Sequence, residues 1–383
     1  MTQLKTIADI QTGPFGSQLH KEDYVETGTP IVTVEHLGNR VFTEQNLPRV
    51  SDSDKARLIK YTLSTGDIVF SRVGSVDRCS YVDKSHDGWM FSGRCLRVRP
   101  TELVDSLYLY YYFCLEETKQ FVRNIAVGAT MPSINTKLLG EVEIALPDLN
   151  NQKRIAAVLS SLDDKIENNQ KLNDNLQQQA MALYAEMFLN SSDNNVTSGT
   201  LSDIAAITMG QSPSGSSYNE DGVGEVFYQG RAEFGFRFPK RRLFTTEPKR
   251  MAETGDVLLS VRAPVGDLNV AYERCCIGRG LGAIHSKTGH SSFVLYTMFA
   301  LRSQLDVFNG EGTVFGSINR DALNAIPIDI PPVTEIDQFE AVAHPIDELI
   351  RANYEENCRL EAIRDSLLPK LMSGEIDVSA VNL

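Results

Sequence analysis

Arginine, asparagine and glycine recur in loops along this chain, and their hydrogen-bonding groups suit nucleic-acid surfaces. Arginine can bind both acceptors of a guanine edge, asparagine can bind the donor and acceptor of adenine, and glycine lets backbone approach phosphate. The residues predicted to make such contacts are Arg72, Arg94, Asn135, Arg231, Arg262, Arg279 and Asn319. Each alone is also typical of a solvated loop, and the two asparagines have the alternative of capping the short helices that follow them.

An internal repeat indicates that these loops share a role. Residues 128–135 align with 312–319 at an offset of 184, which then holds without a gap along two long polar segments. Near the N-terminus the offset is 197, where residues 4–10 align with 201–207. The chain therefore contains two copies of one module. The start and the end of each copy repeat, whereas the residues between them diverge, as expected for modules that bind different targets. A duplication that has simply drifted is the alternative.

Most of the candidate residues occupy matching places in the two copies. Arg72 and Arg262 follow matching strand-like runs, and Arg94 and Arg279 each follow a matching glycine. Arg231 lies instead where the copies diverge most, which is where different targets must be distinguished.

No catalytic or metal-binding pattern accompanies these loops in the sequence. It lacks a Gly-x4-Gly-Lys-Ser/Thr phosphate loop and a His-Glu-x-x-His zinc motif. The Asn/Asp-Pro-Pro-aromatic tetrad of an adenine amino-methyltransferase is also missing, and residues 278–282 lack the last glycine of a dinucleotide loop. We therefore expect no catalysis, no metal and no cofactor in this chain.

Length, charge and cysteine use set the broad class. A chain of 383 residues suits two domains with connectors. The net charge is −13, but residues 333–383 carry 11 acidic and 4 basic residues, so the modules are nearly neutral. Few phosphate contacts predict weak DNA binding without partners. We expect a cytoplasmic protein with reduced thiols, because no secretory or membrane segment and no Cys-x-x-Cys spacing is found.

Two long helices are predicted after the modules. Residues 151–189 contain neither proline nor glycine, and their apolar residues recur at alternating steps of four and three, as in a coiled-coil seam that includes Leu162. The second copy has the same steps. The seam asparagines, which would fix the register at a cost in stability, are Asn169, Asn173, Asn353 and Asn357. With the heptad shifted by one residue, they would face solvent instead.

The predicted fold class is α+β, with two pseudo-symmetric modules joined by two long antiparallel coiled-coil helices. Short β-branched runs such as 68–70 and 257–259 predict strands, whereas the apolar runs 107–113 and 293–299 predict buried helices. The predicted boundaries are 1–149 for the first module, 150–190 for the central helix, 191–200 for a linker, 201–332 for the second module, 333–374 for the C-terminal helix and 375–383 for a tail.

The order module, helix, module, helix resembles the specificity (S) subunit of type I restriction-modification enzymes over essentially the whole chain. The Gly-x-Thr/Val-x-x-Ser-Ile-Asn loops and the Thr-Gly-Asp strands contribute to this resemblance. It implies that each module is a target recognition domain for one half of a split double-stranded DNA sequence. It also implies that the paired helices set the gap and dock two methyltransferase (M) subunits.

The same resemblance places the cofactors on partner subunits. S-adenosylmethionine is expected on the M subunits, which modify adenine, and ATP on the motor-nuclease (R) subunits. Two other classes of protein remain open on the residues alone: an enzyme with an unrecognised active site, and a scaffold that bridges two protein partners without reading DNA.

Overall fold

The computed structural model describes residues 1–14, 16, 18–190, 196–310 and 316–379. The chain forms two compact units, Met1–Asn168 with Glu356–Leu383, and Asn169–Glu355. Each unit contains one globular module together with part of each long helix. Along the described ranges, no helix is both long enough and apolar enough to cross a membrane.

The first unit is built on a four-stranded antiparallel sheet and a smaller mixed sheet. Its strands are β1 (Thr2–Gln3), β2 (Ala8–Thr12), β3 (Tyr24–Val25), β4 (Thr29–Val32), β5 (Arg49–Val50), β6 (Ile68–Ser71), β7 (Cys79–Tyr81), β8 (Met90–Phe91), β9 (Cys95–Pro100) and β10 (Glu143–Ile144). The larger sheet has the order β2-β9-β6-β7, and the smaller one has the order β3-β5-β4-β8. In the smaller sheet β4 and β8 run parallel, with Ile31 opposite Met90.

The helices of the first unit are α1 (Asp52–Arg57), α2 (Ser106–Cys114), α3 (Glu116–Ile125), α4 (Thr136–Gly140) and the start of α5 (Leu149–Tyr184). Of these helices, α2 and α4 contact the larger sheet, and α5 begins the long polar segment. Asp105 begins α2 by accepting hydrogen bonds from the Leu107 and Tyr108 N–H groups. The Phe113 ring of α2 packs edge-on against Phe70 of β6, with the ring centroids 4.7 Å apart. The predicted buried helix at 107–113 is therefore confirmed.

The second unit repeats this arrangement. Its strands are β11 (Thr197–Thr200), β12 (Ala205–Met209), β13 (Tyr218–Asn219), β14 (Glu225–Tyr228), β15 (Leu243–Thr245), β16 (Met251–Ala252), β17 (Val257–Ser260), β18 (Leu268–Val270), β19 (Cys275–Ile277), β20 (Leu281–Ser286) and β21 (Pro327–Ile330). Its helices, after a π-helical turn at Ala185–Leu189, are α6 (Leu201–Ile204), α7 (Ser291–Ala300), α8 (Arg302–Asp306), α9 (Arg320–Asn324) and most of α10 (Val333–Ser373). The predicted buried helix at 293–299 is confirmed by α7, whose middle residues are buried.

The two units share their topology even where their sequences diverge. The larger sheet of the second unit has the order β12-β20-β17-β18, which matches β2-β9-β6-β7 strand for strand. Its smaller sheet, β13-β15-β14-β19-β16, has one strand more than the larger sheet, but its strands together contain fewer residues. It again contains one parallel pair, with Phe227 of β14 opposite Cys276 of β19. The fold is α+β, as predicted, and each unit brings a matching set of strand ends together.

The helical segments run antiparallel within each unit. In the first unit, Asn357 Nδ2 lies 3.4 Å from the Ile166 carbonyl oxygen. Asp163, three residues before Ile166 on α5, accepts a hydrogen bond of 2.7 Å from Arg364, which lies seven residues after Asn357 on α10. Earlier residues of α5 therefore face later residues of α10. In the second unit, Asn353 donates to Asn173 at 2.8 Å. These contacts satisfy polar groups that would otherwise be costly to bury between helices.

All four seam asparagines are buried rather than directed to solvent. The exposed fractions are 3% for Asn169, 4% for Asn173, and 8% for both Asn353 and Asn357. Asn173 also donates to the Ile350 carbonyl oxygen at 3.4 Å, so it acts as both donor and acceptor between the helices. This geometry supports a role in register, which remains a prediction.

Candidate nucleic-acid interface

One end of the larger sheet in the first unit brings Arg72 and Arg94 together. Arg72 follows the last residue of β6, and Arg94 precedes the first residue of β9, its neighbour in the sheet. The Arg72 N–H donates to the Arg94 carbonyl oxygen at 2.8 Å. At the same end, Gly13 follows β2, and a Cβ there would overlap the Ser92 carbonyl oxygen. Only glycine fits so close an approach, which fixes the backbone of this turn.

The two arginines differ in how much of their hydrogen-bonding capacity is available. Arg72 is half-buried, and its Nη1 donates to the Gly93 carbonyl oxygen at 3.3 Å. The Arg94 side chain is exposed and has no hydrogen bond or ion pair with any residue in the described part of the chain. Arg94 is thus better placed to reach a ligand, while Arg72 supports the turn that carries it.

The loop before α4 completes this cluster. Its Ile134 N–H donates to the Arg72 carbonyl oxygen at 2.9 Å, and the Gly74 N–H donates to Pro132 at 2.8 Å. Asn135 is exposed at the end of the loop, where its Oδ1 accepts the Leu138 N–H at 2.9 Å. The side chain therefore caps α4, and its carbonyl oxygen is already used. Only the Nδ2 group remains to donate to a ligand.

The second unit reproduces the same turn. The Val261 N–H, directly after β17, donates to the Gly280 carbonyl oxygen at 3.0 Å. A Cβ at Gly210, which follows β12, would overlap the Gly278 carbonyl oxygen. The Ile318 N–H donates to the Val261 carbonyl oxygen at 3.1 Å, just as the Ile134 N–H donates to the Arg72 carbonyl oxygen in the first unit. The strand ends, the glycine contact and the returning loop therefore correspond in the two units.

Arg262 and Arg279 project from this second turn. Both side chains are exposed, and neither has a hydrogen bond or ion pair with another residue among those the structure describes. Asn319 is exposed as well, and its Oδ1 caps α9 by accepting the Ala322 N–H at 2.9 Å. Part of the predicted 312–319 loop, residues 312–315, lies outside the described residues. Arg320, exposed directly after Asn319, adds a cation that the sequence-based selection missed although it adjoins a selected residue.

Arg231 lies near this turn but is engaged by the protein. Both Gly278 and Gly280 pack on Gln229, and a Cβ at Gly280 would lie 2.8 Å from the Gln229 carbonyl oxygen. The half-exposed Arg231 guanidinium forms an ion pair with Asp267. Asp267 is shared, since Arg302 also donates to it at 2.9 Å. Sequence reasoning missed Asp267, and it alters what Arg231 can do.

Three other arginines pair with carboxylates within the protein. Arg97 binds Asp9 at 2.7 Å, and Arg99 makes a bidentate contact with Asp67 at 2.7 Å. Arg242 binds Glu233 at 2.5 Å. The hydrogen bonds that Arg99 donates to Asp67 raise the pKa of the Arg99 guanidinium. Arg97, Arg99 and Arg242 are therefore engaged by carboxylates of the protein itself.

The cluster contains no groups arranged for metal chemistry. Within the described ranges, no set of three or more His, Cys, Asp or Glu side chains could hold a metal ion. Guanidinium groups, amide donors and tight glycine turns are suited to binding phosphate and base edges.

Comparison with known proteins connects this geometry to a family. The model for the type I restriction modification DNA specificity domain matches residues 1–178 and again residues 194–355. The putative type I restriction enzyme MjaX specificity subunit of Methanocaldococcus jannaschii is 29% identical, over 98% of this chain and 93% of that protein. The MjaIX specificity subunit of the same organism is 26% identical, over 73% of this chain and 71% of its own length.

A solved structure shows the same fold. The type I restriction-modification S subunit from M. genitalium is 18% identical and superposes with a TM-score of 0.58, covering 97% of this chain and 95% of that one. The family match extends over most of the chain and occurs twice, in agreement with the internal repeat. This chain therefore belongs to the type I restriction-modification DNA specificity family, and it carries two copies of the family's domain.

Proposed function

We propose that this chain is the DNA specificity subunit of a type I restriction-modification complex and that each unit reads one half of a split double-stranded target. The observation that carries this proposal is the repeated turn with exposed arginines whose side chains have no hydrogen bond or ion pair with a described residue: Arg94 in the first unit, and Arg262 and Arg279 in the second. In a chain of net charge −13, where many arginines bind carboxylates, exposed guanidinium groups on rigid turns are suited to an anionic ligand.

The divergent segments beside these turns supply a basis for different half-sites. In the second unit, Arg231 follows Gln229, which packs against the turn carrying Arg279. In the first unit, the corresponding strand β4 ends at Val32, whose carbonyl oxygen accepts the Ser92 N–H at 2.9 Å beside the turn carrying Arg94. The framework is thus common to both units, whereas the side chains next to it differ.

The long helices are proposed to set the gap between half-sites and to dock two M subunits. Apolar side chains are exposed along them, at 43% for Leu172 of α5 and at 44% and 46% for Leu349 and Ile363 of α10. Such side chains on otherwise polar helices support a protein-binding role. The M subunits would supply S-adenosylmethionine and methylate adenine, and R subunits would supply ATP-driven cleavage, so this chain itself would be non-catalytic.

Module exchange tests the proposal directly. The chain is co-expressed with its M subunit, and methylated adenines are mapped by sequencing. Replacing residues 201–332 with the corresponding module of a relative should change one half of the methylated sequence only. If both halves change, or neither does, the modular assignment is wrong.

Gel mobility separates DNA reading from a purely bridging role. With the M subunit, the chain should shift a duplex containing the mapped target and should not shift one in which either half is altered. A complex that assembles with M but never discriminates between these duplexes would instead support a scaffold without DNA readout.

A further inference from the structure

The turns that carry Arg94 in the first unit, and Arg262 and Arg279 in the second, are called the reading turns. Two arginines outside them occupy equivalent positions in the two units. Arg40 and Arg237 are related by the N-terminal offset of 197, as are Gly38 and Gly235 two residues earlier. The Arg40 carbonyl oxygen accepts the Tyr81 N–H at 2.7 Å, and the Arg237 carbonyl oxygen accepts the Val270 N–H at 2.8 Å. These donors lie in β7 and β18, which are matching edge strands. A Gly-x-Arg repeat therefore extends into the segment whose sequences otherwise diverge.

Both guanidinium groups bind the long helices. In the second unit, Arg237 Nη1 lies 2.7 Å from Asp347 Oδ1 of α10, and Nη2 lies 3.0 Å from Gln177 Oε1 of α5. In the first unit, Arg40 Nη1 lies 2.6 Å from Asp164 Oδ1 of α5. Their exposed fractions are 4% for Arg237 and 18% for Arg40. Charge-assisted hydrogen bonds are stronger than neutral ones, and breaking a buried pair leaves an uncompensated charge, which favours the bound geometry.

A matching tyrosine accompanies each arginine. Tyr296 donates to Asp347 at 2.9 Å, and Tyr111 donates to Asp163 at 2.6 Å. The two aspartates are related by the offset of 184. Burial raises the pKa of both tyrosines, so their hydroxyl groups stay protonated and donate.

Each of the two arginines lies in a loop that begins beside the turn carrying Arg94 or Arg279. We define the anchor loops as residues 33–43 and 230–240. In the second unit this loop starts after Gln229, which packs on Gly278 and Gly280. Its later part is closed by a hydrogen bond of 2.8 Å from the Lys240 N–H to the Glu233 carbonyl oxygen. The corresponding bond in the first unit, from Thr43 to His36, is 3.0 Å.

Apolar packing strengthens the second anchor. Phe238, next to Arg237, is 5% exposed and packs in a cluster with Leu176 of α5 and Ile350 of α10. One short loop thus connects both long helices to the turn that carries Arg279.

We propose that Arg40 and Arg237 are positioning residues, which fix each anchor loop to the long helices and thereby hold each reading turn at the place that the target gap requires. This inference rests on the proposed function. It gives the two arginines a role in gap selectivity, separate from any contact with DNA. Since displacement of a reacting group by about 1 Å can lower a rate roughly a hundredfold, a loosened anchor should alter the preference for gap length.

Methylation rates on duplexes of different gap test this role. The full chain is assembled with its M subunit, and initial rates are measured on the mapped target and on targets with the gap one base pair shorter or longer. The variants are Arg237→Gln, Arg237→Lys, Asp347→Asn and Asp164→Asn. The last is a mild change, because the Asp164 side chain is 58% exposed. The control is Arg274→Gln, which makes the same substitution at an arginine whose ion pairs, with Glu225 (3.0 Å) and Glu253 (3.4 Å), involve no helix.

Arg237→Gln and Asp347→Asn should lower the ratio of the natural-gap rate to the altered-gap rate by about tenfold. Asp164→Asn should lower it by less, because this carboxylate is largely exposed, and the control should keep the original ratio. Arg237→Lys should give an intermediate ratio, because lysine retains the charge but not the paired donors. Folding is checked from the melting temperature.

Two failures can be told apart. If the unaltered complex methylates without a preferred gap or sequence, the proposed function fails and the inference fails with it. If it prefers one gap and the folded anchor variants keep that preference, even at a lower overall rate, the inference alone is overturned.

Discussion

Replacing one seam asparagine of the second unit should destabilise the protein, whereas replacing both should not. Asn353 donates to Asn173 at 2.8 Å, and both side chains are at least nine-tenths buried. After Asn353→Leu, the Asn173 oxygen loses this donor inside the seam, which costs about 1–3 kcal/mol. Asn173→Leu costs a similar amount, because the Asn353 amide loses its acceptor and the Ile350 carbonyl oxygen loses a donor.

The double variant removes both unpaired groups and buries two leucines. Burial of a leucine contributes roughly 1.5–3 kcal/mol, which offsets the lost hydrogen bonds. We therefore expect the double variant to be at least as stable as the original protein, with a coupling energy of about 2 kcal/mol or more between the sites. Register should become less specific, because a polar pair no longer selects one alignment.

Urea unfolding of the four proteins gives the free energy of unfolding and the coupling. In a unit of this size each kcal/mol corresponds to roughly 2–4 °C in melting temperature. Asn168→Leu, at an exposed position of α5, is the control and should change stability by less than about 0.5 kcal/mol. Additive effects of the two single substitutions would refute a coupled pair.

Three further outcomes are expected. If Arg94 or Arg262 binds a base, its replacement by Ala should cost roughly 1–3 kcal/mol of binding free energy and relax discrimination at one base pair; if it binds a phosphate, the salt dependence should flatten by about one unit. Binding to cognate and mismatched duplexes at several salt concentrations decides between these outcomes. If neither the discrimination nor the salt dependence changes, the arginine does not contact DNA. Asp267→Asn should release Arg231 and raise affinity for non-cognate DNA, measured by competition; an unaltered ratio of cognate to non-cognate affinity would show that the ion pair does not restrain Arg231. Inserting four residues after Asn169 adds about 6 Å of helix and should change the methylated gap or abolish assembly, and full activity at the original gap would show that the helices do not set it.

The repeat made much of the fold predictable. A shared offset of 184 identifies the two long helices, and the apolar runs at 107–113 and 293–299 predicted α2 and α7 because a helix buried on all sides needs no polar face. Longer strands such as β6 and β17 were found from their β-branched runs.

The smaller sheets could not be found in this way. The pairs β4 with β8 and β14 with β19 join segments far apart in sequence, and only two residue pairs define each parallel ladder. Strands this short carry no clear period, and parallel pairing depends on the intervening chain folding first.

Residue type and sequence position predict part of the candidate site, whereas the rest depends on tertiary contacts. Arg94 and Arg279 each follow a matching glycine, which predicts a DNA contact at both positions. In the structure both side chains are exposed. Arg231 was selected on divergence alone, which does not reveal its ion pair with Asp267. Whether an arginine meets a carboxylate of the same chain depends on tertiary contacts that spacing does not encode.

The predicted seam does not include a carboxylate that α5 buries, and the partners of this carboxylate explain the anchors. Asp163 is buried in the first unit, whereas the expected seam residue Leu162 is only half-buried. Asp163 is satisfied by Tyr111 at 2.6 Å and by Arg364 of α10 at 2.7 Å. A buried carboxylate with these partners is stable where an apolar residue was expected.

The equivalent carboxylate of the second unit has a different cation. The counterpart of Arg364 at the offset of 184 is Ala180, which cannot pair with Asp347. Arg237 binds Asp347 instead. In the first unit, where Arg364 already binds Asp163, Arg40 binds the next residue, Asp164. An arginine thus pairs with the equivalent carboxylate in both units, and the element that supplies this arginine determines how firmly the anchor loop is fixed to the helices.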